Sequence, residues 1–403
     1  MSSAGQSADG SATAPGEERR AMIVACGAHA LHDGFTDLIY VMLPVWQSEF
    51  GLSFAALGLM KTVFSGTLAG FQVPSGFLAE RFGARTVLAL GTALAGLGYV
   101  FGGLSVGVVT LVAALFVGGL GASTQHPLGS ALVAQAFAGA RSRTALGTYN
   151  FAGDLGKMSV PALASLLLLV LPWRQALMLI GALGVLGAVL VFTLMPRLRE
   201  AAPAAAKKES AARPIGRLHA LGFPLLLSVG IIDSATRMAF LTFLPFVLTA
   251  KGASVQTVGL SLTLVFAGGA AGKLVCTYIG ARLGTIATVW LTEGITAVTI
   301  VALLPLSLDA AMLLLPVVGV ALNGTSSVLY GSVPDLVTPD KRTRAFGIFY
   351  TGTIGAGAVS PALYGLIGDA FGVSTALVLV AAIVLVTLPL TLMLRPALAA
   401  QPT

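Results

Sequence analysis

About twelve apolar stretches, each close to bilayer length, follow one another along the chain, parted by short polar or Gly/Pro breaks. A hydrocarbon slab takes roughly 20 residues of helix to cross. Lipid offers no partners to backbone N–H and C=O groups, so spanning segments must be helices or closed barrels, and stretches of this length are helices. The stretches fall near 22–46, 53–79, 86–104, 107–137, 143–171 and 174–195, then 218–248, 254–280, 285–306, 308–338, 344–368 and 372–394. The fold class expected is an all-α membrane protein. Of 403 residues, 56% are hydrophobic and 10% charged, against roughly 25% charged in a soluble domain.

One long charged segment, PRLREAAPAAAKKESAARPIGR at 196–217, divides the series into two sets of six. The expected organisation is a polar, disordered tail at 1–21, a six-helix bundle at 22–195, the linker 196–217, a second bundle at 218–394 and a tail at 395–403. The apolar run from Ala21 lacks an obvious small-residue cleavage site and is expected to be a retained first span. The two sets match internally. At an offset of 200, Ala145, Gly147, Pro161, Ala162 and Leu163 meet Ala345, Gly347, Pro361, Ala362 and Leu363. At 201, Pro44 meets Pro245, and Arg81-Phe82-Gly83 meets Arg282-Leu283-Gly284. Two pseudo-symmetric six-helix bundles follow.

Basic residues set the orientation. Seventeen of the 23 Lys and Arg lie on the side of the N-terminus, and only Arg174 and Lys251 lie in loops on the other side. This bias places both termini and the linker in the cytoplasm of a cell with the chain in its inner (plasma) membrane. The net charge of +7 is therefore a topology signal and not a nucleic-acid footprint. Cys26 and Cys276 are too few and too far apart for a disulfide framework.

Residues 76–85, GFLAERFGAR, join spans 2 and 3. The segment resembles the signature loop of the major facilitator superfamily, with Gly76, Glu80, Arg81, Gly83 and Arg85 in the family's positions. The resemblance implies the major facilitator fold and a gating role for this loop. Gly76 is expected to allow close helix approach, Gly83 a tight turn, and Glu80 with the two arginines a charge latch. Spans 1 and 4 narrow the likeness. HALHDGFTDLIYVMLPVWQSEFGLSF from His29 and GLGASTQHPLGSALVA from Gly119 resemble the fosmidomycin-resistance type of exporter in that superfamily. Span 5 keeps Gly153, Gly156 and Pro161 of a Gly/Pro pattern found in antiporters, without the whole pattern.

Ionisable side chains inside spans cost about 2.5–3.5 kcal/mol at a helix centre by insertion scales, and they normally face a cavity or a partner. Here the acids are Asp33, Asp37, Asp154, Asp233 and Glu293, and the bases Lys61, Lys157, Arg237 and Lys273. His29, Asp33, Asp37 and Tyr40 share one face of span 1, with His32 beside it. Asn150, Asp154 and Lys157 share a face of span 5, and Asp233 and Arg237 are i,i+4 on span 7. The expected pairs are Asp154–Lys157, Asp233–Arg237 and, from matching depths in the slab, Asp37–Lys61. That leaves Asp33 and Glu293 without a basic partner, so Asp33, Glu293 and Asp37 are the expected proton-coupling residues. Lys273 is expected to snorkel toward the cytoplasm. His126, before Pro127, either caps a helix break or joins the cavity.

The function expected is secondary active transport of a small organic solute by alternating access, with proton-coupled efflux of a drug or toxic metabolite first and a proton-coupled importer or facilitator of a small organic anion second. A solute, protons and the lipid bilayer are the expected partners of a monomer. No nucleotide loop or nucleophile elbow points to an enzyme. His29-x-x-His32-Asp33 offers few donors for a metal, and no metal or cofactor is expected.

Overall fold

The computed structural model describes residues 15–137, 140–197, 217–337 and 341–399. The first half runs α1 Pro15–Phe50, α2 Phe54–Gly70 (bending by 43° into Gln72–Phe82), α3 Ala84–Gly103, α4 Val108–Ala122 continued as Gln125–Ala136, α5 Ala140–Leu167 and α6 Trp173–Leu194. The second runs α7 Arg217–Ala250, α8 Val255–Gly280, α9 Arg282–Leu303, α10 Leu308–Ser332, α11 Arg342–Phe371 and α12 Val373–Val384 continued as Thr387–Ala399. Among the described residues, nine helices are long and apolar enough to cross a membrane, and bent α2 makes a tenth. The helices α1 and α5 fall outside that set, and they are the two that carry the polar faces read from sequence. Large apolar side chains such as Leu186, Val298, Leu313 and Leu366 point outward on the remaining surface, where only lipid suits them.

Two ends are more ordered than composition suggests. Pro15 opens α1 with Glu17 and Glu18 in its first turn, a favourable helix start. Glu18 accepts from Arg141 at 2.8 and 3.0 Å, so residues 15–21 are helix and not tail. At the other end, α12 continues to Ala399 with Leu394 and Ala397 buried. The remainder of the expected tails (1–14 and 400–403) and of the linker (198–216) lies outside the described residues.

The repeat extends into backbone detail. Gly83 and Gly284 both take positive φ, at 83° and 79°, and so turn the chain tightly at equivalent loops. Ser53 and Ser254, again 201 apart, cap α2 and α8 in the same way by accepting from the amides of Ala56 and Thr257.

Among the described residues, the halves share an apolar core at one end only. On the side away from the termini, a single core draws Trp46, Phe64 and Tyr99 from the first half and Phe243, Leu262 and Leu315 from the second. On the terminus side there are two separate cores, one with Leu88, Leu132 and Tyr149 and one with Leu226, Val289 and Phe349. Two inter-half hydrogen bonds lie on the same side as the shared core. Thr62 donates to the Ala358 carbonyl at 2.7 Å and Thr263 to that of Met158 at 3.0 Å. Gly58 lies against the Pro361 backbone, which brings α2 and α11 together. The molecule is closed on the far side and parted on the terminus side. Arg174 on the far side also grips Glu49 at 2.7 Å and holds that carboxyl below its ordinary range.

Asp369 seals this closure. Its two oxygens accept from the amides of Phe54 and Ala55 at 2.6 and 2.9 Å, so a carboxylate of α11 caps the N-terminus of α2 in the opposite half. Helix caps are worth about 0.5–2 kcal/mol. Asp369→Ala is expected to shift the opening equilibrium by about that amount. Faster labelling of a cysteine placed at Thr62 by an impermeant maleimide from the far side is the readout; an unchanged rate contradicts the latch.

Candidate functional site

Between the halves, where the shared core ends and the cleft begins, lies a cavity of about 450 Å³. Its walls come from α1, α4, α5, α7, α8 and α10, and the expected residues His29, Asp33, Asp37, His126, Asn150, Asp154, Lys157 and Arg237 line it.

Asp33 is the hub of the first-half wall. Its Oδ1 faces three imidazole nitrogens, the Nε2 atoms of His29 at 3.4 Å, His32 at 3.7 Å and His126 at 4.0 Å. Its Oδ2 faces the Lys157 ammonium at 3.4 Å. The expectation that Asp33 lacks a basic partner is therefore corrected. Lys157 reaches it because α5 lies directly on α1, with Gly156 against the Ala30 carbonyl and Gly34 against Val160. Gly153 completes the fit, since a methyl group there would lie 2.6 Å from Asp33 Oδ2 and 2.8 Å from His29 Cε1. His126 follows the break in α4 and turns toward the cavity, with its side chain 46% exposed.

Asp154 stays 4.0 Å from Lys157, but its close partner is Lys273, at 2.6 and 2.7 Å to its two oxygens. Lys273 does not snorkel toward the cytoplasm; it crosses from α8 to α5 and ties the two halves together at cavity level. A charge-assisted grip on both carboxylate oxygens is stronger than a hydrated, unpaired ammonium.

The proposed Asp37–Lys61 pair does not form. Lys61 Nζ donates to the Thr36 carbonyl at 2.9 Å and sits 4.4 Å over the Tyr40 ring. Depth in the slab places two residues at one level but says nothing of rotation about the helix axis. Lys61 meets α1 behind the cavity, and Tyr40 is buried with its hydroxyl donating to Met238 Sδ at 3.2 Å. His32 likewise sits behind the wall, beside Phe35 and Thr92. His32, Tyr40 and Lys61 are thus not cavity-lining residues.

In the second half, Arg237 lines the cavity and makes no ion pair among the described residues, contrary to the expected Asp233–Arg237 pair. Asp233 turns instead toward Glu293 of α9, and the two carboxyls lie against one another behind the wall. Glu293 is 1% exposed, its Oε1 without a hydrogen-bond partner, which rules out a hydrated position near the helix end. Asn323, Ser326, Ser327 and Tyr330 complete this wall. Their i, i+3, i+4, i+7 spacing on α10 is a polar stripe that helical periodicity would have shown.

The signature loop departs from its expected geometry. Gly83 makes the tight turn, but the space beside Gly76 is open and no close approach occurs there. Glu80 forms no ion pair with Arg81 or Arg85 among the described residues; Arg85 donates to the Met195 carbonyl at 3.2 Å at the end of α6. An exposed pair gains little in water, whereas a helix C-terminus offers unsatisfied carbonyls.

Comparison with known proteins agrees with this architecture. The model of the Major Facilitator Superfamily matches residues 25–227 and again 226–403. The chain is 26% identical over 351 residues to the fosmidomycin resistance protein of Escherichia coli, covering 85% of this chain and 84% of the relative. It is 27% identical to a probable L-galactonate transporter of the same organism, over 62% of this chain and 56% of that one. A bacterial homologue of the human lysosomal transporter Spinster, solved inward-facing and unoccupied, shares the fold with a TM-score of 0.80 at 15% identity, over 97% of this chain and 99% of that one. These are membrane transporters of small solutes and not enzymes, and the chain belongs to the Major Facilitator Superfamily.

Proposed function

We propose that the protein moves a small organic anion across the inner membrane together with protons, by alternating access, with both termini and the open cleft in the cytoplasm. The observation that carries this reading is one arrangement: Arg237 lines the cavity with no ion pair among the described residues, one turn from Asp233, whose carboxyl lies against that of Glu293. A guanidinium presents a planar fork suited to a carboxylate or phosphonate. Two touching carboxyls make a shared-proton site, because both cannot ionise cheaply. An anion on Arg237 and a proton on the pair each offset the other's charge, so they bind together, and linkage makes that reciprocal. The resemblance to a transporter named for galactonate, itself a carboxylate, supports the anionic solute.

Export in exchange for protons is the second reading, supported by the relative named for fosmidomycin resistance, which is matched over most of both chains. It requires solute and proton to exclude one another. Proteoliposomes with a trapped pH dye separate the two, using fosmidomycin and galactonate as probes. Protons that follow the solute inward support co-transport; protons that leave as solute enters support exchange. Solute flux without proton movement overturns the coupling. Glu293→Gln is expected to lower gradient-driven accumulation at least about tenfold, worth about 1.4 kcal/mol, while solute exchange without a gradient continues.

A further inference from the structure

We propose that His29, Asp33 and His126 form a binding site for one divalent transition-metal ion of the imidazole-preferring kind, such as Zn²⁺ or Co²⁺. The site lies in the first-half wall and does not depend on the carboxyl pair of the second half.

His29 Nδ1 lies 2.8 Å from the Tyr149 carbonyl, which can only accept, so Nδ1 carries a proton and the lone pair of the neutral ring is on Nε2. That lone pair faces a carboxylate oxygen, Asp33 Oδ1, at 3.4 Å. A charge-assisted N–H···O bond would draw the two to about 2.7–2.9 Å, and among the described residues His29 Nε2 makes no contact that short. His32 Nε2, 3.7 Å from the same oxygen, is also buried and unpartnered.

The spacing suits an ion. Ligand atoms around a tetrahedral Zn²⁺ with bonds near 2.0–2.1 Å lie about 3.3 Å apart. His29 and His126 Nε2 are 3.4 and 4.0 Å from Oδ1, and the three donors fall within 4.8 Å of one another. Coordination therefore needs only a small inward movement of His126, which is half exposed and free to make it. The carbonyl holding His29 Nδ1 is the outer-shell partner that metal-binding imidazoles use, and Tyr149 stacks on the ring at 4.0 Å. Lys157, the ammonium paired with Asp33 among the described residues, occupies the other oxygen, Oδ2. Three ligands leave a fourth position directed to the cavity, as in open zinc sites, so the ion would exchange with solvent and be accessible to a metal-binding group on a solute.

The test uses the tag-free full-length protein in detergent, titrated with Zn²⁺ by calorimetry and with Co²⁺ by visible absorption. One ion per chain and an intense, tetrahedral-type Co²⁺ spectrum are expected. Asp33→Asn and His126→Ala should each weaken binding at least about tenfold, and His126→Gln gives the same reading with less change of volume. Glu293→Gln should bind as wild type does, so failure of the proton reading and failure of this one are separable. A Co²⁺ spectrum matching the aqueous ion, or Zn²⁺ affinity unchanged in both His126 variants, overturns the site.

Discussion

Gly156→Leu is expected to leave little or no assembled protein, whereas Gly147→Leu on the same helix is expected to fold. A side-chain carbon at Gly156 would enter the carbonyl of Ala30, and both atoms belong to the backbones of packed helices. Neither helix can yield locally, so α1 and α5 must part along the wall that holds Asp33 and Lys157. Overpacking typically costs about 1–3 kcal/mol and sometimes more; a clash between two backbones should reach or exceed the top of that range. Gly147 has nothing within 4 Å of the same position. Size-exclusion profiles and thermal unfolding in detergent check the pair. Equal behaviour of the two variants would mean that α1 and α5 are not held by this crossing.

Lys157→Met is expected to cost about 3 kcal/mol of stability and to abolish transport. Asp33 is 8% exposed at its side chain and loses its ammonium partner, which leaves a buried carboxylate without that cation. Breaking a buried pair costs about 3–5 kcal/mol; the low end applies because Lys157 is itself 30% exposed. Asp33→Asn combined with Lys157→Met removes both charges and is expected to recover much of the stability but none of the transport. Unfolding of the two single variants and the double should therefore be non-additive by about 1–3 kcal/mol. Additive losses would show that Lys157 does not stabilise Asp33.

Much of this molecule follows from local pattern. Apolar runs of bilayer length, the offset of about 200 between halves and the asymmetry of Lys and Arg need no knowledge of packing. The inward-facing edge of α1 and α5 was equally legible, because His29, Asp33 and Asp37, like Asn150, Asp154 and Lys157, recur at helical spacing. Their partners were not. Lys273 lies 119 residues from Asp154, and nothing near either one announces the other. Lys61 was matched to Asp37 by depth, but rotation about α2 sends it to the Thr36 carbonyl.

The sequence by itself determined the membrane-embedded all-α class, the two related halves and the set of charges that had to be sheltered from lipid. Only the tertiary structure decided which charges meet: Asp33 with Lys157, Asp154 with Lys273, Asp233 with Glu293, and His126 beside His29. It also decided that the halves close on the far side, through Asp369 and the glycines of α2 and α11. Hydrophobic run length and helical period are properties of neighbouring residues. Ion pairing depends on the rotation and distance of helices that the chain brings together only after folding, so no local pattern records it.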